Sequence, residues 1–455
     1  MDANSRIKLM REEKISKSLL KLGVPMIISM LVTALYNVVD AYFVGGLGTS
    51  AIAAVSVAFP ISIIFSGVGL TLGTGGGSYI SRLLGAEDKD RANKVASTAL
   101  ITSVFVGVVL AITILSFLEN VLVFMGATKT MLPYAKEYAI VFILASIVNT
   151  FNVTMGNLAV AQGASNISLN SMLVGAILNM ILDPLFIYKF GLQIKGAAIA
   201  TLISQCVTTI IYIWYILGNK SYIKISFSYF SLDKKIYGEI FKIGISMLFL
   251  QLLTSISMGL INMEASNYGD SAVASMGIVT RITALGSYVV FGYMKGFQPI
   301  AGYNYGAKNY NRLKEATQVS LKVTTGFCVL WTVIIMIFSN SIVSIFSSDI
   351  SVIKIAERAL KANTIMFISF GFQFVYSTLF LAIGKAKKGG ILTMGRQGIF
   401  FIPIILILPN LIGLNGVIYT QLIADVLATI MTFIFAININ KEITKPINRV
   451  FTDKL

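Results

Sequence analysis

The chain has 455 residues, 56% of them hydrophobic and only 12% charged, with a mean hydropathy of +0.81. Soluble domains carry about 25% charged residues, so this composition excludes a soluble globular protein and indicates a polytopic helical membrane protein. There is no histidine, and the two cysteines, Cys206 and Cys328, lie inside apolar runs, which excludes His-ligated metal sites, Ser–His and Cys–His nucleophile pairs and a disulfide framework.

No enzyme is therefore expected, no cofactor, and no catalytic or clustered-metal residues. Both cysteines read as small core hydrophobes. The formal charge of +16 would suit nucleic acid, but a membrane protein gathers cations on one face by the positive-inside bias.

Residues 1–21 are polar and basic, and the apolar run after them is too long for the core of a cleavable signal. Twelve spans follow, at roughly 19–45, 51–74, 95–117, 134–158, 168–188, 196–217, 243–267, 273–300, 317–338, 359–382, 391–410 and 415–437. An even number places both termini on one side. The arm, the tail and the connections on that side hold 26 basic residues, Arg396 among them, against 7 on the other side. Both termini are therefore expected to be cytoplasmic, which also leaves no need for a nucleic-acid partner.

Span 1 carries Asp40 deep inside its apolar run, with Thr33 and Asn37 at i−7 and i−3 on the same helix face. A lone acid at the bilayer centre costs roughly 2.5–3.5 kcal/mol on insertion scales, so it faces a cavity or a partner. Pro25 removes a backbone hydrogen bond and permits a bend. At the end of span 2, Gly73-Thr74-Gly75-Gly76-Gly77-Ser78 lacks the Lys-Ser/Thr ending of a phosphate loop and follows no strand, so close packing or bending is the expected role. Without a nucleotide site, the driving force should be an ion gradient.

Span 5 puts Asn179 and Asp183 at i, i+4, and Pro184 frees the carbonyl of Met180 beside the acid. Span 6 adds Thr201 and Gln205 at the same spacing. Such oxygens suit a hard cation, Na+ included, or a proton relay, though Asn179 and Thr201 also fit plain helix–helix hydrogen bonding. With no histidine, any proton coupling must run through carboxylates.

An offset of 221 carries Lys21 and Gly23 onto Lys242 and Gly244, Gly48, Ser50 and Ala51 onto Gly269, Ser271 and Ala272, and Gly85, Ala86 and Arg91 onto Gly306, Ala307 and Arg312. The offset falls to 220 by Gly196, which matches Gly416. Six spans per half gives parallel halves, a transporter architecture. The expected organisation is an N-terminal lobe over 1–217, a cytoplasmic linker over 218–240 and a C-terminal lobe over 241–455. The halves differ chemically: Ile261 and Ile404 stand where the first half has Asp40 and Asp183. The second half instead offers Glu264 and Arg281, which read as a pair or else as substrate contacts, Lys295, expected to snorkel toward the cytoplasmic side or else to contact substrate, and Asp425, a candidate secondary cation site matching Gln205. Abundant methionines and aromatic residues are expected mostly to pack or face lipid, with some suited to an adaptable pocket for apolar cations.

With the twelve spans in two parallel halves, the stretches YNVVDAYFVGGLGTSAIAAVS, SRLLGAEDKDRA with its echo YNYGAKNYNRLKEA, and LNMILDPLFIYKFGLQIKGAAIATLIS make the chain resemble the MATE family, multidrug and toxic compound extrusion. The resemblance covers essentially the whole length and is nearest the DinF-like and MepA-like bacterial members. It implies a V-shaped pair of six-helix lobes in the bacterial cytoplasmic (inner) membrane. It also implies a monomer that exports organic cations or other amphipathic compounds in exchange for H+ or Na+. The family's N-lobe cation site falls on Asp40, Asn179, Asp183 and Thr201, and its bending helix carries Pro25. The NorM-like branch has an acid within span 7, whereas here Glu264 lies near that span's end, which argues against a C-lobe Na+ site. A lipid-linked precursor flippase of the same superfamily is the alternative, and would use cations such as Lys295 and Arg281. A paired-aspartate intramembrane protease would need Asp40 and Asp183 together, and the repeat and neighbouring amides favour transport.

Overall fold

The structure is a computed structural model that describes residues 2–129, 131–218 and 220–452, with the backbone alone at 49–53 and 444–452. Ser50 and Ala51 of the repeat, and Lys445, Arg449 and Lys454 of the tail, therefore lie outside the residues whose side chains are described. No strand occurs among the described residues.

Twelve helices are long and apolar enough to cross a membrane. We label them α1 (Ile15–Gly45), α2 (Ala54–Gly85), α3 (Lys89–Ser116), α4 (Leu132–Ala161), α5 (Ser165–Lys189), α6 (Gln193–Leu217), α7 (Lys234–Ser266), α8 (Asp270–Gly306), α9 (Tyr310–Ser344), α10 (Ile350–Ala382), α11 (Ala386–Ile412) and α12 (Leu414–Ile443). Each expected span is present. Most helices outrun the apolar run that marked them, because polar ends continue the backbone hydrogen bonding beyond the hydrocarbon layer. Three spans change helix type within their length, α10 by a 3-10 turn over Met366–Ser369. A π-helical turn over Leu185–Lys189 follows Pro184 in α5, and a second covers Gly395–Ile399 in α11. α1 runs unbroken through Pro25.

Three large apolar clusters form the interior. One draws only on residues between Val44 and Ala198, and another only on residues between Ala265 and Ala424. The third joins the halves and includes Leu19 and Leu22 of α1, Leu72 and Ile80 of α2, Ile240 of α7 and Val290, Phe297 and Ile300 of α8. These joining residues lie in the helix halves nearest the face that carries both chain ends, here termed the tail face.

Small residues allow that junction. A Cβ on Gly296 of α8 would stand 2.5 Å from the backbone nitrogen of Gly23 in α1, so the two helices touch main chain to main chain. Gly75 of α2 and Gly244 of α7 meet in the same way. The glycine-rich stretch 73–78 is thus helix interior used for packing. Ser78 completes the seam by donating from Oγ to the carbonyl of Leu381, at 2.7 Å. The Arg82–Glu239 ion pair spans the halves at 3.1 Å. The N-terminal arm, helical over Ala3–Arg11, buries Arg6, Leu9 and Met10 and accepts from Asn304 and Arg312 of the second half.

The connection between the halves is tied down rather than loose. Gln162 Oε1 accepts from the backbone of Tyr222 and Ile223, at 3.0 and 3.1 Å, and Asn93 Oδ1 from Lys224, at 2.9 Å. Ser97 and Thr98 hold the backbone of Ser226 and Ser231. The helix of α7 begins at Lys234, so the last residues of the expected 218–240 linker belong to that helix.

Candidate functional site: a carboxylate pair in the first half

α1, α5 and α6 bring the first-half residues together. Asp183 is fully buried and Asp40 half-buried. No basic side chain among the described residues pairs with either acid. Asn179, oriented to satisfy its neighbours, donates to Asp183 Oδ2 at 3.0 Å and accepts from the backbone N–H of Thr201 at 3.2 Å. The i, i+4 spacing on α5 therefore stacks the amide on the carboxylate, and the amide reaches across to α6. The regular helix ends at Pro184, next to Asp183, and the π turn after it re-aims the chain.

Two tyrosines join the acids that sequence reasoning passed over. Tyr36, one turn before Asp40, shares a hydrogen bond with Thr201 and lies in the field of both carboxylates. Tyr138 of α4 lies in the same field. The signal for Tyr36 was its i−4 spacing from Asp40. Tyr138 gave none, since aromatic residues are common throughout the chain.

The supporting residues sit elsewhere. Thr33 donates to the carbonyl of Ser29 in its own helix, at 2.9 Å, and Asn37 is exposed. The expected polar stripe thus reaches the acids only through Asp40. Gln205 is held by Asn152, which donates to its side-chain oxygen at 2.8 Å and to its backbone carbonyl at 2.9 Å.

The second half departs from expectation in three places. Glu264 and Arg281 form no ion pair, and Arg281 is exposed. Lys295 is partly buried and lines a small pocket at the seam between the halves, with Thr74 and Ser81 of α2 and Asn157 of α4. Asp425 is no open cation site. Arg396 Nε donates to its Oδ1 at 2.7 Å and Nη2 to Oδ2 at 3.3 Å, while Gln421 donates to Oδ1 at 2.8 Å. A guanidinium already supplies the positive charge that a bound cation would bring. Arg396, counted from sequence with the cytoplasmic loop cations, is in fact buried, with Phe370 against its guanidinium at 4.6 Å.

Among the described residues, Asp40 and Asp183 thus have no basic partner, whereas the buried Asp425 has one. The first-half donor set of carboxylate, amide and hydroxyl oxygens fits a hard monovalent cation or a proton.

The chain is similar to known proteins over nearly its whole length. The MatE family model matches residues 25–185 and again 246–407, two stretches that begin 221 residues apart, as the internal repeat does. The multidrug export protein MepA of Staphylococcus saprophyticus is 29% identical over 95% of this chain and 96% of its own length. A crystal structure of a MATE protein in its straight conformation, 30% identical, covers 96% of this chain and 99% of that one with a TM-score of 0.91. The outward-facing conformation of a multidrug resistance MATE transporter of the MOP superfamily, 29% identical, matches 96% of this chain and 98% of that one, also at 0.91.

Proposed function

This chain belongs to the MatE family, and from that premise we propose that it is a secondary active antiporter that exports amphipathic or cationic compounds in exchange for H+ or Na+. The observation that carries the reading is the fully buried Asp183 with the half-buried Asp40 near enough to act on it, oxygen donors around them and no cation partner among the described residues. A buried carboxylate without a counter-charge is costly, and a proton or Na+ removes that cost. Loading and unloading of the pair therefore changes the free energy of the α1–α5–α6 packing. That change selects between a state closed at the tail face and one open there. Pro25 lies on α1 beside the glycine crossing with α8, where such a change would act.

Substrate would enter the space between a first half over residues 1–217 and a second over 241–455. The basic bias places the tail face in the cytoplasm of a bacterial inner-membrane protein that works as a monomer, with no cofactor and no nucleic-acid partner. The flippase alternative calls for several cations gathered on one groove wall, and Lys295 is the only basic residue lining the seam cavity.

Dye transport into the lumen of inside-out vesicles, the counterpart of efflux from the cell, tests the proposal. A pH gradient alone and a Na+ gradient alone are imposed in separate runs. Transport under at least one gradient, lost in Asp40→Asn, supports the antiporter and identifies its coupling ion. Absence of transport under both, across several cationic dyes, refutes it in favour of the flippase.

A further inference from the structure

Asp40 and Asp183 stand on different helices, so their spacing is only as fixed as the joint between α1 and α5. Toward the tail face that joint has two polar contacts. Ser165 donates to the carbonyl of Lys21 at 3.4 Å, and Ser29 donates to Met172 Sδ at 2.7 Å. On the other side of the acids, one hydrogen bond joins the two helices among the described residues. The Tyr188 hydroxyl donates to the carbonyl of Phe43 at 2.6 Å. Phe43 follows Asp40 by three residues, about 4.5 Å along the helix axis. Its carbonyl is among the last four of α1, which have no partner of the usual helical kind. The two rings also meet edge to face, with centroids 6.4 Å apart.

Two local features put the hydroxyl there. In an unbroken α-helix, Tyr188 would lie about 140° round the axis from Asp183, because five residues at about 100° each overshoot one turn. The π turn over Leu185–Lys189 widens the turn, with the Phe190 N–H bonded to the Leu185 carbonyl at 2.9 Å, and brings the tyrosine back toward α1. The second feature is Gly46. A Cβ on it would overlap the Tyr188 hydroxyl, whereas the ring carbon bearing that hydroxyl would be 3.4 Å away, an ordinary contact. Gly46 has φ −68° and ψ −12°, open to any residue, so its missing side chain serves the hydroxyl and not the backbone. The second half clasps its first and fifth helices with a different residue. Tyr268, at the position of Leu47 in the repeat, donates to the carbonyl of Pro409 in α11 at 3.2 Å. That clasp has no acid pair beside it, since Ile261 and Ile404 hold those positions.

We propose that Tyr188 is a positioning residue for the carboxylate pair: its hydroxyl, admitted by Gly46, fastens the outer end of α1 to the π turn of α5 and sets the spacing of Asp40 and Asp183. The inference rests on the antiporter reading for its effect on transport, while the clasp itself is a property of the protein at rest. Oxygens on two helices bind a cation most tightly when the helices already stand at binding distance, because otherwise part of the binding free energy goes into ordering them. Loss of the clasp therefore weakens the hold on the driving ion without removing any group that binds it. Maximal turnover is untouched once the ion saturates the site.

Two measurements on the full-length protein test this, with wild type, Tyr188→Phe, Gly46→Ala, the double variant and Tyr268→Phe. One is hydrogen–deuterium exchange in nanodiscs, read at the outer end of α1 with no gradient present. The other is the rate of dye transport into inside-out vesicles at saturating dye, as the driving ion, H+ or Na+, is varied. Tyr188→Phe and Gly46→Ala should each speed exchange there by about threefold or more. Each should raise the half-saturating concentration of the driving ion by about two- to tenfold, the range that one net hydrogen bond spans, and keep the maximal rate within about twofold of wild type. The double variant should match Tyr188→Phe, because a ring without the hydroxyl leaves room for the added methyl. Tyr268→Phe should leave the half-saturating concentration unchanged. Unchanged exchange in Tyr188→Phe would overturn the proposal, and so would a reduced maximal rate at an unchanged half-saturating concentration. An equal rise in Tyr268→Phe would overturn it too, since any loosened helix end would then suffice. A wild type silent under both gradients refutes the antiporter reading instead, and exchange then decides the clasp by itself.

Discussion

Arg396 and Asp425 form a buried ion pair, Nε to Oδ1 at 2.7 Å, at positions where the first half has Gly175 and Gln205. The surrounding network is shared between the halves. Asn152 donates to the carbonyl of Gln205 in the first, and Gln373 to that of Asp425 in the second. Thr209 and Thr429 complete the two sets. The repeat has thus kept a polar joint between its fourth and sixth helices while changing its charge. In the second half the acid is paired inside the protein, whereas Asp40 and Asp183 of the first have no basic partner among the described residues.

The pair should be structural. Removal of one partner from a buried pair typically costs about 3–5 kcal/mol, whereas a well-packed apolar replacement of both is often close to neutral. Arg396→Met and Asp425→Leu should each lower the melting temperature in detergent markedly, and the double variant should recover most of the loss. The double variant should also retain dye export. A double variant no more stable than the singles would mean that the pair is not the unit argued here.

The first-half acids should behave differently. Asp40→Asn and Asp183→Asn should abolish export while leaving expression and melting temperature near wild type, because each removes a charge that no cation balanced. Tyr36→Phe deletes a hydroxyl that bonds Thr201. A net hydrogen bond is worth about 0.5–1.5 kcal/mol, so export should slow by roughly two- to tenfold. Rates in vesicles decide both points. Wild-type rates in Asp40→Asn would remove the basis of the coupling site.

Much of this was legible in the sequence, for physical reasons. Apolar runs of spanning length are a strong signal, and all twelve helices were found from them. Asp40, Asn179, Asp183 and Thr201 were visible because polar oxygens at helical spacing are rare in such runs, and the structure brings them together. Arg396 was misplaced because Lys385, Lys387 and Lys388 precede it and made it look like part of a basic loop. α11 starts at Ala386, so Arg396 is already well inside the helix. An unpaired Asp425 in span 12 was the available clue, since a buried acid asks for a partner. Tyr138 and the seam pocket at Lys295 were not legible, because both depend on which helices cross.

The ion pair between Arg82 and Glu239 bridges the halves near the tail face, with both side chains partly open to solvent. Such pairs contribute on the order of 1 kcal/mol or less. Glu239→Gln should therefore shift the balance toward the tail-open state by no more than about fivefold, and the shift should shrink as salt is raised. Labelling of Ser78→Cys by an impermeant maleimide from the tail side, in a Cys206→Ser, Cys328→Ser background, reads that balance. A shift of a hundredfold would show that the seam depends on this pair rather than on helix packing.

The packing itself is tested at Gly296. The α1–α8 crossing brings the Gly23 nitrogen to 2.5 Å from where a Cβ on Gly296 would stand, and that atom is backbone, which cannot rotate aside. Gly296→Val must separate the two helices on the tail side. A transporter needs both closed states, so export should be lost even though Asp40 and Asp183 are intact. Fast tail-side labelling of Ser78→Cys in this variant, with dodecyltrimethylammonium still bound at wild-type affinity, would show that closure fails while the cation site survives. Slow labelling together with normal export would mean that the halves do not seal at this crossing, and that the closed state is held elsewhere along α2 and α7.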